Sequence, residues 1–167
     1  VIVSAANLNT VANDIIIPQG TSLVILQNEI PKEVNMEVAL KAKKVDAEVW
    51  LNAAPARELP NRLVKMVDLL IVNQVEAEFY SSLNRSVKVL KTLGAQGVYY
   101  DNVLYSGFSV DVVSTHGAGD MFVGALAAQV VRGTPMVEAI RFAQAAAALT
   151  VSSQQEKRKD LRAQSVI

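Results

Sequence analysis

Residues 117–120, Gly-Ala-Gly-Asp, have the types and the spacing that could bind and use a phosphate group. Glycine lets the backbone approach a ligand closely, and the first turn of a helix leaves amide N–H groups unpaired at a partially positive end. Such a turn binds anions, and the Asp120 carboxylate could accept a proton from an attacking hydroxyl. Glycines before a helix also serve packing or capping, so the loop alone leaves both interpretations open.

Two better known glycine patterns do not fit this loop. A Walker A loop requires a Lys-Ser or Lys-Thr pair after the glycines, and none follows here. The dinucleotide pattern Gly-x-Gly-x-x-Gly is also broken, because the third glycine, Gly124, comes two residues too late. An NAD-binding module is therefore disfavoured.

The composition excludes several other kinds of site and partner. There is no cysteine, which rules out disulfides, thiolate zinc sites and cysteine nucleophiles, and the single histidine, His116, rules out a multi-histidine metal site. Sixteen basic residues balance sixteen acidic ones, so no net field favours nucleic acid or an acidic membrane surface. No apolar run reaches transmembrane length. We expect a cytoplasmic protein without nucleic acid or membrane partners.

Short apolar runs alternate with segments of helical periodicity, and this alternation predicts an α/β fold with a parallel sheet. The runs that we interpret as strands lie at 1–3, 23–26, 49–51, 69–72, 98–100 and 110–113. Apolar residues at helical spacing occur over 34–45, 59–66 and 79–90, although residues 87–90 could instead form a strand. Two alanine-rich helices follow, at 118–131 and after Pro135. Residues 1–167 are predicted to form one α/β domain.

Residues 117–125, Gly-Ala-Gly-Asp-Met-Phe-Val-Gly-Ala, resemble the Gly-Ala-Gly-Asp-x-Phe-x-Gly-Ala signature of the ribokinase-like (PfkB) carbohydrate kinases. Four further segments agree with that family in the same order: Leu26–Pro31, Leu51–Pro60, Asn73–Glu78 and Thr92–Gly97. They resemble its Leu-Gln-x-Glu-x-Pro segment, a stretch typical of ribokinases, its Asn-x-x-Glu motif and its Thr-Leu-Gly-x-x-Gly turn. The resemblance implies a three-layer α/β/α fold with a mainly parallel central sheet.

The resemblance also implies an activity and the residues that carry it. The activity is transfer of the γ-phosphoryl group of ATP to a sugar hydroxyl. Asp120 is then the catalytic base and contacts the sugar, the backbone of Gly117, Ala118 and Gly119 forms an anion hole, and Glu76 holds Mg²⁺ through water. The residues implied on the nucleotide side are Asn73, Thr92, Gly94, Gly97 and Gln144, and the residue implied on the sugar side is Glu29.

Each of these roles has a structural alternative. Asp120 could serve only to complement the helix dipole, and the turn at 73–76 could be a surface turn with an asparagine cap. The turn at 92–97 could be a plain hairpin turn. Glu29 could be an exposed strand end, and Gln144 a polar point on an alanine-rich helix.

The sequence departs from the family in two respects. Ser114 stands where potassium-activated members have an aspartate, and a hydroxyl is a poorer ligand for a hard cation, which argues against potassium activation. The match also begins well inside the family's chain, and the span from Glu78 to Lys88 is short. We therefore expect the sequence to be the C-terminal nucleotide-binding and catalytic portion of a longer kinase, without the lid and the first strands.

Ribose is the expected sugar, because the segment at 52–60 is closest to ribokinases. One alternative is a kinase of the same fold that acts on fructose, a keto-deoxy sugar acid or a nucleoside. Another, from a different class, is a truncated relative that binds ATP without catalysis. A homodimer is compatible with the resemblance, since the family's lid strands often pair between subunits.

Overall fold

A computed structural model describes residues 14–83, 87–154, 161 and 164 of the chain. The predicted strand at Val1–Val3 lies outside these residues. The chain divides into two compact units, residues 1–92 and 93–167. The single domain expected from the sequence therefore stays a prediction, and each unit is described by itself.

The first unit is a parallel sheet with helices between its strands. The strands are β1 (Leu23–Gln27), β2 (Glu48–Asn52), β3 (Leu69–Asn73) and β4 (Lys88–Thr92). The helices are α1 (Lys32–Lys43), α2 (Asn61–Val64) and α3 (Gln74–Phe79). Each strand pairs in parallel with the next one along the chain, which confirms the predicted α/β class.

The apolar pattern explains how this sheet is covered. The first four residues of β3, Leu69–Val72, are all buried, as expected of a parallel strand that is covered on both faces. Helix α1 turns Val34, Val38 and Ala42 inward, and these side chains join the main apolar cluster. The strand register then brings polar residues to one edge, because Asn73 at the end of β3 lies beside Thr92 at the end of β4. This carboxyl edge is where α/β sheets bind ligands.

The second unit contains a hairpin and two helices. Strands β5 (Gly97–Tyr100) and β6 (Val103–Ser106) are antiparallel. Asp101 and Asn102 join them with φ angles of 50° and 63°, the conformation of a tight two-residue hairpin turn. Helices α4 (Ala118–Val131) and α5 (Met136–Ser152) pack against each other, as their alanine-rich sequences predict. Among the described helices, none has the length and apolar character needed to cross a bilayer.

Two predicted elements are wrong, the helix over 79–90 and the strand at 110–113, although the alternative that residues 87–90 form a strand agrees with β4. The helical spacing over 79–90 breaks up, because α3 ends at Phe79, a 3-10 turn follows at Ser81–Leu83, and Leu90 is buried in β4 beside Ile71. The apolar residues at helical spacing over 79–90 thus belong to different elements.

The predicted strand at Val110–Val113 is also absent. The strand forms earlier, as β6, and Val112 and Val113 are each 58% exposed. The backbone N–H of Val113 donates to the carbonyl of Val151 (2.8 Å) instead of to a neighbouring strand. The preference of valine for strands did not decide the structure, because no strand partner meets this segment in the described part of the chain.

Candidate functional site

Helix α3 begins with a reciprocal pair of side-chain hydrogen bonds. The Oδ1 of Asn73 accepts from the backbone N–H of Glu76 (2.9 Å), and the Oε2 of Glu76 accepts from the backbone N–H of Asn73 (2.8 Å). This arrangement is a capping box, which satisfies two amides that a helix start otherwise leaves unpaired. The Asn-x-x-Glu motif therefore caps a helix, as the structural alternative expected.

The cap does not explain why residue 76 is a glutamate. Glu76 is only 7% exposed, and burial raises the pKa of its carboxyl group, although the hydrogen bond from the Asn73 N–H opposes this shift. A glutamine would accept the same hydrogen bond without the cost of a buried charge. A carboxyl group that is kept at such a cost suits a functional role better than a purely structural one.

The Glu76 carboxylate also fits the Mg²⁺ role implied by the sequence. Magnesium keeps most of its water and is usually held by one or two carboxylates together with substrate phosphates. Within the described residues, no group of three or more His, Cys, Asp or Glu side chains lies close enough to hold a metal ion. A carboxylate that acts through water does not require such a group, and the Mg²⁺ role of Glu76 stays a prediction.

The end of the neighbouring strand places Thr92 next to this turn. Thr92 pairs in register with Asn73, and its Oγ1 donates to the carbonyl of Val72 (3.3 Å). Glu29 lies on the loop after β1, at the same carboxyl edge of the sheet, and is exposed between Asn28 and Ile30. The first unit thus gathers four of the predicted site residues, Asn73, Glu76, Thr92 and Glu29, at one edge of its sheet.

The two glycines of the next turn have different structural reasons. Gly97 has a φ of 114°, and a Cβ there would lie 2.0 Å from the carbonyl oxygen of Tyr105 in β6, so only glycine fits. Gly94 also has a positive φ, 57°, but a Cβ there would meet nothing within 4 Å. The close approach of the hairpin strands therefore accounts for Gly97, whereas the nucleotide role of both glycines stays a prediction.

Helix α4 begins at the glycine-rich loop without a side-chain cap. Gly117 is the N-cap residue with a left-handed φ of 76°, and its carbonyl accepts from the N–H of Met121 (3.0 Å). The N–H of Ala118 donates to the carbonyl of Thr115 (3.3 Å), so the loop itself engages one of the three amides of the predicted anion hole. A left-handed backbone explains Gly117 on conformational grounds.

Gly119 and Asp120 lie exposed in the first turn of α4. A Cβ at position 119 would meet no atom of the described residues within 4 Å, so packing there does not require glycine. Glycine within a helix costs up to about 1 kcal/mol relative to alanine. No packing contact in the described residues accounts for glycine at position 119, and the exposed turn has room for a ligand next to the Asp120 carboxylate.

Two hydrogen bonds anchor the chain just before this loop. The backbone N–H groups of Val113 (2.8 Å) and Ser114 (3.1 Å) both donate to the carbonyl of Val151 near the end of α5. The Oγ of Ser114 accepts from the backbone N–H of His116 (3.3 Å). Ser114 therefore takes part in the shape of the loop, and His116 lies exposed beside it.

Gln144 has a structural function in the second unit. It is buried on α5, and its Nε2 donates to the carbonyls of Tyr105 (2.8 Å) and Ser106 (3.3 Å), which fastens α5 to β6. It is thus more than a polar point on an alanine-rich helix. Its proposed place beside the nucleotide stays a prediction.

Sequence reasoning missed a buried polar network in the first unit. In this network the Tyr80 hydroxyl contacts the side chain of Asn28 and the backbone N–H and carbonyl of Arg57. The residues lie far apart in the sequence and form no local motif, so only the buried positions of Asn28 and Tyr80, which the sequence does not reveal, could have indicated them.

Comparison with known proteins shows the family to which the chain belongs. The profile of the family described as "pfkB family carbohydrate kinase" matches residues 5–160, nearly the whole chain. The ribokinase of Bacillus subtilis is 35% identical over 147 residues, which cover 81% of this chain and 50% of that protein. The ribokinase of Haemophilus influenzae is 30% identical, over 90% of this chain and 58% of that protein. The chain thus spans about half the length of the curated relatives it matches.

Solved structures give the same result. The structure of Arabidopsis thaliana ribokinase complexed with ribose and ATP aligns with a TM-score of 0.71 at 30% identity and covers 79% of this chain and 50% of that one. The ribokinase of Thermotoga maritima aligns with a TM-score of 0.69 at 32% identity and covers 87% of this chain and 53% of that one. The family model and these relatives together show that the chain belongs to the pfkB family of carbohydrate kinases.

Proposed function

We propose that this chain is the nucleotide-binding and catalytic portion of a kinase that transfers the γ-phosphoryl group of ATP to a hydroxyl of ribose. The observation that carries the proposal is the start of α4, where Gly119 has no packing reason to be glycine and Asp120 lies exposed in the first turn. An uncapped helix start with an adjacent carboxylate can hold a phosphoryl group and accept a proton at the same place.

In this proposal Asp120 removes the proton from the attacking sugar hydroxyl. The sugar oxygen then forms a bond to the γ-phosphorus, and the bond between that phosphorus and the oxygen bridging to the β-phosphate breaks, so that ADP leaves. Negative charge on the transferred group is stabilised by the backbone amides at Gly117–Gly119 and by the positive end of the α4 dipole. Because the Ala118 N–H is engaged with Thr115, its bond must lengthen or be shared when the group binds.

The residues at the sheet edge hold the nucleotide in this proposal. Glu76 would hold Mg²⁺ through water and Asn73 would contact the nucleotide, and the metal, when bound, would supply charge neutralisation at the phosphates. The strand register, which sets Thr92 beside Asn73, supports a common site for these two residues. Gly94, Gly97 and Gln144 are assigned to the nucleotide by family resemblance alone. Potassium activation is not expected, because Ser114 offers a hydroxyl in place of a carboxylate.

Ribose is the proposed sugar because two relatives, at 35% and 30% identity, are ribokinases, and one similar structure is a complex with ribose and ATP. Glu29 is the proposed sugar contact on this chain. We also propose a cytoplasmic location, because the absence of cysteine fits a reducing compartment. We also propose that the protein forms a homodimer, and light scattering on the intact protein tests this oligomeric state.

The test is a coupled assay of ADP release by the full-length protein with ATP and Mg²⁺. We expect the highest kcat/KM with ribose among ribose, fructose, a keto-deoxy sugar acid and a nucleoside. A different best substrate would correct the sugar but keep the reaction. Binding of ATP without turnover of any of these compounds would refute the proposal and favour a non-catalytic relative.

A further inference from the structure

A buried tyrosine hydroxyl joins segments of the first unit that are far apart in the sequence. Tyr80 directly follows α3 and is only 3% exposed. Its hydroxyl donates to the carbonyl of Arg57 (2.8 Å) and accepts from the backbone N–H of Arg57 (2.9 Å). It also accepts from the Nδ2 of Asn28 (3.1 Å). One donor and two acceptor sites are all that a phenol offers, so the hydroxyl is fully used.

Further hydrogen bonds hold both neighbours of Glu29. On one side, the backbone N–H of Asn28 donates to the carbonyl of Ala54 (3.1 Å), and its Nδ2 donates to the carbonyl of Pro55 (3.0 Å). On the other side, the Nη2 of Arg57 donates to the carbonyl of Ile30 (2.6 Å). Glu29 itself is exposed. The backbone on both sides of this carboxylate is therefore fixed, while the carboxylate reaches solvent.

The same tyrosine is attached to the helix that carries Glu76. The backbone N–H of Tyr80 donates to the carbonyl of Glu76 (2.9 Å) at the end of α3. Helix α3 has fewer than two turns, so it links the tyrosine closely to the capping box formed by Asn73 and Glu76. The Tyr80 hydroxyl thus connects the loop of Glu29 with the turn proposed to serve Mg²⁺.

The state of the hydroxyl supports this arrangement. A phenol is protonated near neutral pH, so the Tyr80 hydroxyl can donate and accept at the same time. Phenylalanine would fill almost the same space, but it would leave both backbone groups of Arg57 without their partner. Removal of this one oxygen is therefore a selective way to loosen the network.

We propose that Tyr80 is a positioning residue that, through Asn28 and Arg57, fixes the Glu29 carboxylate for the sugar. The inference rests on the proposed function, in which Glu29 contacts the sugar. A carboxylate on a fixed loop meets its ligand with little loss of conformational freedom on binding, whereas a mobile loop would have to be ordered first.

The first test is Tyr80→Phe in the full-length protein. We expect KM for ribose to rise about tenfold while KM for ATP stays within about twofold. Tyr99→Phe is the matched control, because it removes a tyrosine hydroxyl from the hairpin, where the contact to Asn102 is 3.4 Å long. A purely structural role would lower the folded fraction and hence the apparent kcat, and it would leave the two KM values equal to those of the unaltered protein.

A double-mutant cycle with Glu29→Gln decides whether Tyr80 acts through Glu29. If it does, adding Tyr80→Phe to Glu29→Gln raises KM for ribose little further, whereas independent roles give multiplied effects and would overturn the inference. If Tyr80→Phe does not fold, Arg57→Met removes the bond to Ile30 and is tested in the same cycle. If the unaltered protein is active and the effects multiply, the role of Tyr80 is refuted and the proposed function stands. If the unaltered protein shows no turnover, both the proposed function and the inference are refuted.

Discussion

The two helices that begin with a candidate functional acid are built in opposite ways. At the start of α3, Asn73 and Glu76 bind each other's backbone N–H groups, and the carboxyl group is buried. At the start of α4, Gly117 provides no side-chain cap, and Asp120 is exposed. Side chains satisfy two amides at the first start, whereas no side chain caps the second, where the Ala118 N–H donates to the Thr115 carbonyl.

This difference matches two different chemical tasks. An acid that orients water around a metal benefits from a fixed position, and the capping box provides it at the cost of a buried charge. An acid that exchanges a proton with a substrate must be reachable, and exposure in an uncapped first turn provides that. If the two helix starts serve these different tasks, substitutions at α3 and at α4 will change different kinetic properties and will differ in the size of their effects.

The largest effect is expected for Asp120→Asn. Asparagine keeps the size of the side chain but cannot accept the proton, so kcat should fall by about 100-fold to 10,000-fold. KM for ATP should change little, because the amides of the turn remain. Steady-state kinetics with ribose checks this expectation. Near-normal turnover would show that Asp120 is not the base. The proposed functional difference between the two helix starts would then be refuted as well.

A smaller loss of activity is expected for Glu76→Gln. The cap keeps its acceptor, but the charge that orients the metal's water shell is gone, so activity at limiting Mg²⁺ should fall by about 10-fold to 100-fold. Higher Mg²⁺ should recover part of it. The measurement is a Mg²⁺ titration of turnover with Asp120→Asn alongside, since excess Mg²⁺ should not rescue that variant. Equal rescue of both variants would contradict separate tasks.

Gly119→Ala tests the space at the open start. A methyl group should reduce turnover about tenfold by obstructing the approach of the phosphoryl group, while the helix gains up to about 1 kcal/mol of stability. Gly124→Ala is the matched control for stability, because Gly124 is also exposed on α4 and a Cβ there meets nothing within 4 Å. Loss of stability in Gly119→Ala would mean that the glycine serves the fold after all.

The smallest expected effect is on the pH dependence of stability. Because the pKa of Glu76 is raised in the folded protein, the folded state keeps this proton above pH 4.5, the ordinary value, where the unfolded chain loses it. The contribution of Glu76 to stability is therefore complete below that value and is lost as the pH rises through the folded pKa. In Glu76→Gln this loss of stability with rising pH should be absent.

Urea denaturation at about pH 4 and about pH 7 measures the effect. The free energy of unfolding of Glu76→Gln minus that of the unaltered protein should be more positive at the higher pH. A difference that stays constant, or that falls with pH, would show that Glu76 ionises without cost in the folded state. The buried carboxylate would then need no functional explanation.

The sequence predicted those parts of the fold that depend on local patterns. The continuous apolar run at Leu69–Val72 indicated a strand that is covered on both faces, and the structure confirms it. The hairpin was missed because its turn is Asp101-Asn102, a less distinctive pair than the Asn-Gly that usually marks such turns. At Val113 a hydrogen bond to Val151 decided the backbone, and a strand propensity carries no information about that distant partner.

In the candidate site, too, local motifs were predictable from the sequence and long-range contacts were not. Asn73 and Glu76 are three residues apart, so a local motif is enough to indicate the turn that they form. The bond between Asn28 and Tyr80 joins residues 52 positions apart, and that from Gln144 reaches a carbonyl 39 positions away. Such contacts depend on which elements become neighbours, and one sequence does not specify this. Gly97 is a mixed case, since its motif was visible but its steric reason, the carbonyl of Tyr105, was not.

The carbonyl of Val151 has a practical consequence for handling this protein. It accepts from both Val113 and Ser114 and so closes a ring of chain that contains α4, α5 and the glycine loop between its two ends. A deletion that removes residue 151, or a cut between residues 114 and 151, would open that ring and loosen the backbone that leads into Gly117. Loss of activity after such trimming would then be a remote effect, although no residue of the loop had been touched.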